Sequence, residues 1–306
     1  MSSRILVIKL GALGDFVQAQ QAFQAIRRHH ADADITLMTT APFEALAHAC
    51  GWFDRVWIDT RPEFWRIREW WMTRQRLRSA GFDRVYDLQT SDRTGWYFRL
   101  LRGARPDWSG IAPGCSHPHD NPMRNRMHTI DRLADQLVRA GVSEVPPVDL
   151  RWLDADVSRL GLPDRFVLLV PGGAAHRPAK RWPADRYAEL AGHLAEKGLP
   201  PVILGGPDEQ AAVAAILDVC PDAVSLLGRT TLFDIAGAAR RAAGAIGNDT
   251  GPMHIAAAVG CPSLVLFSDA SDPALCGQRG PDVAILRRAD LRDLPVEEVE
   301  AAVRLR

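Results

Sequence analysis

The chain has 306 residues, of which 47% are hydrophobic and 24% charged, a composition typical of a globular protein with room for two domains. Its 37 basic residues balance its 37 acidic residues, which argues against general binding of nucleic acids. No apolar run approaches the ~18 residues of a membrane span, and the first apolar stretch is too short for a signal peptide. Five scattered cysteines suit a reducing compartment, so we predict a cytoplasmic protein.

Strand and helix patterns alternate along the chain, which predicts an α/β fold with parallel sheets. The expected strands are residues 4–10, 35–39, 56–58, 85–88, 166–170, 202–204, 245–247 and 264–267. The expected helices are residues 15–28, 43–49, 63–80, 186–196, 209–217, 232–242 and 253–259. Proline and glycine interrupt the pattern between residues 141 and 164, which indicates a linker. We therefore predict two Rossmann-like domains, residues 1–155 and 156–306, that face a cleft.

The first glycine motif, Lys9-Leu10-Gly11-Ala12-Leu13-Gly14-Asp15, follows the first predicted strand. Gly11 and Gly14 allow a ligand to approach the backbone closely. Neither half of the chain has the Gly-x-Gly-x-x-Gly pattern of dinucleotide sites, which argues against a nicotinamide-dependent dehydrogenase. Asp15 lies where the next helix begins, so it is either an N-terminal cap or a general base directed at a hydroxyl group.

The second glycine motif spans residues 171–183 and follows the first strand of the second half. Gly172 and Gly173 expose backbone N–H groups that can contact phosphate, and Lys180, one of only three lysines, adds positive charge. The alternative is a solvated basic loop.

The third glycine motif spans residues 204–209 and again joins a strand to a helix. Asp208 or Glu209 could accept hydrogen bonds from ribose hydroxyls. As acidic residues in the first turn of a helix, they also stabilise that helix without any ligand.

The fourth motif, Gly247-Asn248-Asp249-Thr250-Gly251-Pro252-Met253-His254, is the most informative stretch of the chain. It predicts a buried strand that turns into a helix, with Pro252 in the first turn and Thr250 or Asp249 as the cap. The unpaired N–H groups of such a helix form an anion site. Asp249 and His254 flank that site, which suits a sugar nucleotide; an ordinary capped turn is the alternative.

Two patterns resemble metal sites, and we expect neither to bind a metal. Asp-x-Asp occurs at residues 32–34 and 154–156, where both copies are predicted to be solvated turns. Cys115, His117, His119 and His128 have spacings compatible with zinc, but the surrounding residues predict a mobile polar loop.

Tryptophan and arginine are concentrated in the first predicted domain. It contains eight of the nine tryptophans, seven of them between residues 52 and 108, and residues 61–78 carry six arginines and two glutamates. This composition suits an anionic lipid surface or a phosphorylated glycolipid acceptor. A helix with one packed aromatic face and solvated arginines would have the same composition. Residues 52–78 are our candidate for peripheral contact with an anionic membrane.

Four blocks together resemble the signature of glycosyltransferase family nine, the ADP-heptose:lipopolysaccharide heptosyltransferases and their relatives. The blocks are Leu13-Gly14-Asp15, Lys180-x-Trp182-Pro183, Gly205-Gly206-Pro207 and Asp249-Thr250-Gly251-Pro252-Met253-His254, in the family order across residues 4–275. The resemblance implies the GT-B fold of two Rossmann-like domains. Residues 268–273 depart from the glycine-containing loop that is usual at that place in the family.

The resemblance also implies roles for single residues. Asp15 matches the catalytic base, and Lys180 matches the lysine at the donor phosphates. The block 249–254 matches the residues that hold the diphosphate and the donor sugar, with Gly14, Gly172 and Gly173 expected beside the donor. Asp208 matches an acidic residue near the ribose.

The implied reaction is inverting, metal-independent transfer of a sugar, with no cofactor. The expected donor is a nucleotide diphosphate sugar, specifically ADP-heptose. The expected acceptor is the lipopolysaccharide core or a related glycolipid or glycan, at the cytoplasmic face of the inner membrane. The alternatives are a GT-B sugar-nucleotide epimerase or hydrolase, and a non-catalytic relative that binds a sugar nucleotide or glycolipid.

Overall fold

A computed structural model describes residues 2–101, 103, 106–147, 149–174 and 176–306. Ala175, in the second glycine motif, therefore lies outside the described residues. The chain forms two compact units, Met1–Trp152 and Leu153–Arg306, which we call unit 1 and unit 2. The boundary between them falls within the predicted linker 141–164.

Unit 1 contains a six-stranded parallel sheet with the strand order β3-β2-β1-β4-β5-β6. Its strands are β1 (Arg4–Ile8), β2 (Asp34–Thr39), β3 (Arg55–Ile58), β4 (Arg84–Asp87), β5 (Asp107–Gly110) and β6 (His117–Pro118). Its helices are α1 (Leu13–Gln18), α2 (Gln20–His29), α3 (Glu44–Ala49), α4 (Ile67–Ser79), α5 (Asp92–Leu100) and α6 (Thr129–Arg139). Residues 5–8 of the central strand β1 are fully buried, as expected for a strand covered on both faces.

Unit 2 repeats this plan with the strand order β12-β11-β10-β7-β8-β9, and every pair of neighbouring strands is again parallel. Its strands are β7 (Val167–Val170), β8 (Pro201–Ile203), β9 (Val224–Ser225), β10 (Gly244–Asn248), β11 (Ser263–Phe267) and β12 (Val283–Arg287). Its helices are α7 (Ala184–Glu196), α8 (Gln210–Val219), α9 (Leu232–Arg241), α10 (Gly251–Ala258), α11 (Pro273–Cys276) and α12 (Val296–Ala302).

The predicted α/β class with parallel sheets is confirmed, and three local predictions are wrong. The helix predicted for 15–28 is interrupted at Ala19 and forms α1 and α2. The helix predicted for 63–80 begins only at Ile67. The segment predicted as a polar loop includes strand β6 and leads into α6, where His128 caps the helix by accepting from the N–H of Ile130.

No helix in the described part of the chain is long and apolar enough to cross a bilayer.

Candidate active site

Asp249 is the centre of a polar network in unit 2, between the end of β10 and the start of α10. Its Oδ2 lies 2.6 Å from Lys180 Nζ and accepts a hydrogen bond of 2.9 Å from the Ser271 hydroxyl. Its Oδ1 accepts from Gln278 Nε2 at 3.1 Å and lies 3.9 Å from His254 Nε2. Three donors from separate segments thus converge on one carboxylate, with the His254 imidazole nearby.

The contacts within this network determine the ionisation of Asp249. Burial alone would raise the pKa of Asp249, but the ammonium of Lys180, the hydroxyl of Ser271 and the nearby His254 bring it below its ordinary value. Asp249 is therefore a carboxylate at neutral pH. It holds the Lys180 ammonium in one place, where an incoming phosphate can contact it.

The N-terminus of α10 presents backbone N–H groups beside this ion pair. Thr250 occupies the N-cap position, as predicted, but its side chain makes no capping hydrogen bond. Its buried hydroxyl also has no hydrogen-bond partner within the described residues. Pro252 lies in the first turn as predicted. The first N–H groups of a helix lack partners inside it, so the N–H groups of Gly251 and Met253 suit an anion.

Asn248 joins the loops around this site. Its side-chain NH2 group donates to the carbonyls of Pro171 and Gly172, at 2.8 and 2.9 Å. Its side-chain oxygen accepts from the N–H of Trp182 at 3.0 Å and from the Tyr187 hydroxyl at 3.1 Å. A buried amide that uses all four of its hydrogen-bonding positions fixes the second glycine motif against the fourth.

The second and third glycine motifs are joined by Glu209. Its Oε2 accepts from the N–H of Gly206 at 2.9 Å, and its Oε1 lies 3.4 Å from Arg181. A Cβ added at Gly172 would lie 3.0 Å from Cδ of Glu209, so the Glu209 side chain packs tightly against this glycine. Asp208 is exposed, whereas Glu209 makes the contacts to the loops.

Asp15 lies in unit 1 as the third residue of α1 and is half-buried. The N-cap of α1 is Ala12, so the interpretation of Asp15 as the cap residue is wrong. The preceding loop is anchored at Leu10, whose carbonyl accepts from the Thr40 hydroxyl at 3.1 Å and from the Arg61 guanidinium. Gly11 has a φ of +116°, which glycine adopts without strain.

Lys9 lies near Asp15, Asp87 lies near Lys9, and both side chains are buried. The Lys9 ammonium donates to the carbonyl of Leu88 at 3.2 Å, and burial lowers its pKa although Asp15 and Asp87 act in the opposite direction. Burial raises the pKa of Asp87 to about 6, against the hydrogen bonds from the N–H groups of Thr90 and Gln89. The glycine loop that carries Asp15 therefore lies next to the buried polar side chains of Lys9 and Asp87.

The candidate zinc residues do not converge. His119 Nε2 lies 2.8 Å from Asp135 Oδ2, His117 lies beside Asp107, and Cys115 donates to the carbonyl of Gly110. No group of three or more potential metal ligands occurs in the part of the chain that the structure describes.

The structure thus brings Lys180, Asp249 and His254 together and places Asp15 in the other unit. Sequence reasoning missed Ser271 and Gln278, which also contact Asp249. Ser271 lies in residues 268–273, the segment that departs from the family pattern, and this departure was the one available signal.

Comparisons with known proteins identify the family. The family model for glycosyltransferase family 9 (heptosyltransferase) matches residues 70–295. Lipooligosaccharide heptosyltransferase 2 of Haemophilus influenzae is 34% identical over 104 residues, which cover 32% of this chain and 30% of that relative's length. Lipooligosaccharide heptosyltransferase 2 of Haemophilus ducreyi is 23% identical over 97% of this chain and 92% of its own length.

Among solved structures, the ADP-heptose lps heptosyltransferase II of E. coli has a similar fold. Its TM-score is 0.77 at 21% identity, with coverage of 98% of this chain and 97% of that chain. The resemblance noted in the signature blocks is confirmed, because the family model extends over most of the chain. The chain belongs to glycosyltransferase family 9, the heptosyltransferase family.

Proposed function

We propose that the protein is an inverting, metal-independent glycosyltransferase that moves a heptose from ADP-heptose to the lipopolysaccharide core or a related glycolipid or glycan. Family membership and the names of the matched relatives support this reaction class. The observation that carries the proposal is the Lys180–Asp249 pair beside the open N–H groups of α10. It forms a site for a diphosphate next to groups that can bind sugar hydroxyls.

Unit 2 is proposed to bind the donor. When the bond between the anomeric carbon and the diphosphate breaks, negative charge grows on the leaving ADP. Lys180, the N–H groups of Gly172 and Gly173, and the N-terminus of α10 stabilise that charge. Asp249 and His254 are placed to contact sugar hydroxyls, and Asp208 the ribose. These groups supply the positive charge that a metal ion would otherwise provide.

Unit 1 is proposed to bind the acceptor, with Asp15 as the general base. Asp15 takes the proton of the acceptor hydroxyl as that oxygen bonds to the anomeric carbon, on the face opposite the diphosphate. One C–O bond forms and one breaks, and attack from the face opposite the leaving diphosphate inverts the configuration at the anomeric carbon. The products are the glycosylated acceptor and ADP.

We also propose peripheral contact with the anionic cytoplasmic face of the inner membrane through residues 52–78. Phe64 and Ile67 in this segment are 81% and 78% exposed, and such apolar exposure marks an interaction surface. The six arginines and two glutamates of residues 61–78 give it a net charge of +4 in a chain whose total is +0. Apolar side chains beside arginines suit an anionic lipid surface.

The test uses the wild type and Asp15→Asn. ADP at about 100 times its Kd should add about 2.7 kcal/mol of stability to both proteins, with and without EDTA. Transfer of heptose from ADP-heptose should be reduced at least ~10²-fold in D15N, because a general base contributes about that much. Thermal unfolding gives the first quantity, and mass spectrometry of the acceptor product gives the second.

Four results would count against the proposal. Equal transfer by D15N would remove Asp15 as the base. A thermal shift that EDTA abolishes would contradict metal independence. Conversion of the donor without any acceptor would favour the epimerase or hydrolase, and nucleotide binding without turnover would favour the non-catalytic relative.

A further inference from the structure

A groove of about 820 Å³ in unit 1 has no role in the reaction described above. It lies between the segment before α4 and helix α5, and we call it the tryptophan groove. The side chains that define it are Phe64, Trp65, Trp70, Trp96, Leu100 and Arg93. A concave apolar site of this size is within the range of sites that bind small ligands.

Two donors in the lining of the tryptophan groove are bonded to backbone carbonyls of the segment before α4. Trp70 Nε1 donates to the carbonyl of Glu63 at 3.1 Å. The Arg93 guanidinium donates to the carbonyl of Pro62 at 3.1 Å and lies 5.7 Å from the centre of the Trp70 ring. A hydrocarbon chain in the groove would gain stability by covering this aromatic surface.

The edge of the groove carries positive charge. Arg99 lies over the Trp96 ring at 4.6 Å, and Arg93 lies in the lining. Residues 61–78, which include Glu63 and other residues of the lining, have a net charge of +4. An amphiphile with an acidic head and an apolar chain matches this combination.

The groove is joined to the loop that carries Asp15 by one short segment. Tyr97 of α5 donates from its hydroxyl to Asp59 Oδ2 at 2.7 Å, and Asp59 Oδ1 accepts from the N–H of Arg61 at 2.9 Å. The Arg61 side chain then donates to the carbonyl of Leu10. These hydrogen bonds connect helix α5, which lines the groove, to the loop that carries Asp15 within unit 1.

We propose that the tryptophan groove binds one hydrocarbon chain of the lipid acceptor, and that the arginines at its edge hold the acidic head. This inference rests on the proposed function, because it assumes that the acceptor is a glycolipid. The groove would take up a single lipid chain, whereas the peripheral contact proposed above would insert exposed side chains into a bilayer.

The test is calorimetric titration of the full chain with dodecyl phosphate below its critical micelle concentration. We expect saturable binding with a negative heat-capacity change, the signature of apolar burial. Butyl phosphate has the same head and dodecyltrimethylammonium the same chain, and both should bind at least about tenfold more weakly because each lacks one half of the match.

Two tryptophan variants separate the groove from the general surface. Trp96 lines the groove and is 54% exposed, while Trp71 is 55% exposed and is not among the lining residues in the described part of the chain. Trp96→Ala should weaken dodecyl phosphate binding about tenfold, as expected for loss of an aromatic anchor. Trp71→Ala should change it by less than about twofold.

Equal weakening by W96A and W71A would overturn the groove in favour of non-specific binding to the exposed apolar surface, and an absence of saturable binding would also overturn it. The assay contains no donor, so its outcome is separate from that of the transfer assay. A protein that binds dodecyl phosphate but transfers no heptose keeps the groove and loses the proposed function. A protein that transfers heptose but binds no alkyl phosphate loses only the groove.

Discussion

At the scale of single residues, Asp87 is a carboxylate that folding makes harder to ionise. It is fully buried at the end of β4, beside Ile8 of β1, and its Oδ2 has no hydrogen-bond partner within the described residues. Burial raises its pKa to about 6 from an ordinary value of 3.8. The folded protein therefore keeps this proton at pH values where the unfolded chain has lost it.

This difference predicts a pH dependence of stability with a definite sign. Below pH ~4 the group is protonated in both states and contributes nothing, whereas above pH ~6 the folded state carries the whole cost of a buried charge. The contribution of Asp87 should therefore lower stability by up to about 3 kcal/mol as the pH rises between these values. Asp87→Asn should remove this slope in urea unfolding measured from pH 4 to pH 7.

Asp222→Asn is the matched control, because Asp222 is exposed. It should keep the wild-type slope. If D87N and D222N had the same pH profile, Asp87 would not be the group responsible.

At the scale of elements, α10 packs closely against the strand that precedes it. A Cβ added at Gly247 would lie 2.7 Å from Cβ of Val170 and 2.8 Å from Cγ of Met253. The glycine therefore determines how near α10 and β7 approach β10. The position of the N–H groups at the start of α10 depends on that packing.

Gly247→Ala should destabilise the protein by about 1–3 kcal/mol, because the added methyl group overpacks a buried site. It should also weaken ADP binding, because α10 must shift.

Gly192→Ala in α7 is the control: its Cβ would lie 3.6 Å from Val219, an ordinary contact. Alanine there should stabilise the helix by about 0.5–1 kcal/mol. Urea unfolding and ADP titration measure both effects, and a stable G247A protein with normal ADP binding would contradict this account.

How far the sequence predicts these elements depends on where their signals lie. The turn into α10 was predictable, because Gly251 and Pro252 mark its first turn locally. The late start of α4 was not, because the segment from Glu63 has a helical pattern and is held instead by the contact from Trp70. Helix α6 was missed because the polar residues before it resembled a loop, and its cap is an unusual one, His128.

The residues of the candidate site likewise fall into two groups: those that a local motif predicts and those that only the tertiary fold brings together. Asp249 and His254 share one motif, and Lys180 has a distinctive block around it, so a family resemblance could identify all three. Gln278 reaches Asp249 from 29 positions further along the chain, with no motif around it. Only the tertiary fold brings such a residue to the site.

At the scale of the whole molecule, each unit has its own sheet and its own buried core. In unit 2 the core includes residues from β7, β8, β10 and β11 together with helices α7, α8 and α12. Its 154 residues, from Leu153 to Arg306, are within the usual size of a domain that folds alone. Within the described residues, the side chains that contact Asp249, those of Lys180, Ser271, Gln278 and His254, belong to this unit.

A fragment of residues 153–306 should therefore unfold cooperatively and bind ADP with an affinity within about tenfold of the full chain. Circular dichroism on heating and calorimetric titration measure these two properties. A fragment of residues 172–306 is the control: it lacks β7, which lies between β10 and β8, and should show no cooperative transition. If the 153–306 fragment were folded but did not bind ADP, the donor site would need residues from unit 1.

The four hydrogen bonds of Asn248 have a consequence for the thermodynamics of nucleotide binding. They order the glycine loop and the start of α10 during folding, before any ligand is present. Fixing the backbone of one residue costs about 1–2 kcal/mol of conformational entropy. Because these loops are already ordered in the folded protein, nucleotide binding does not have to order them. More of the free energy of the contacts then appears as affinity. The donor site is in this sense preorganised by a residue that need not touch the donor.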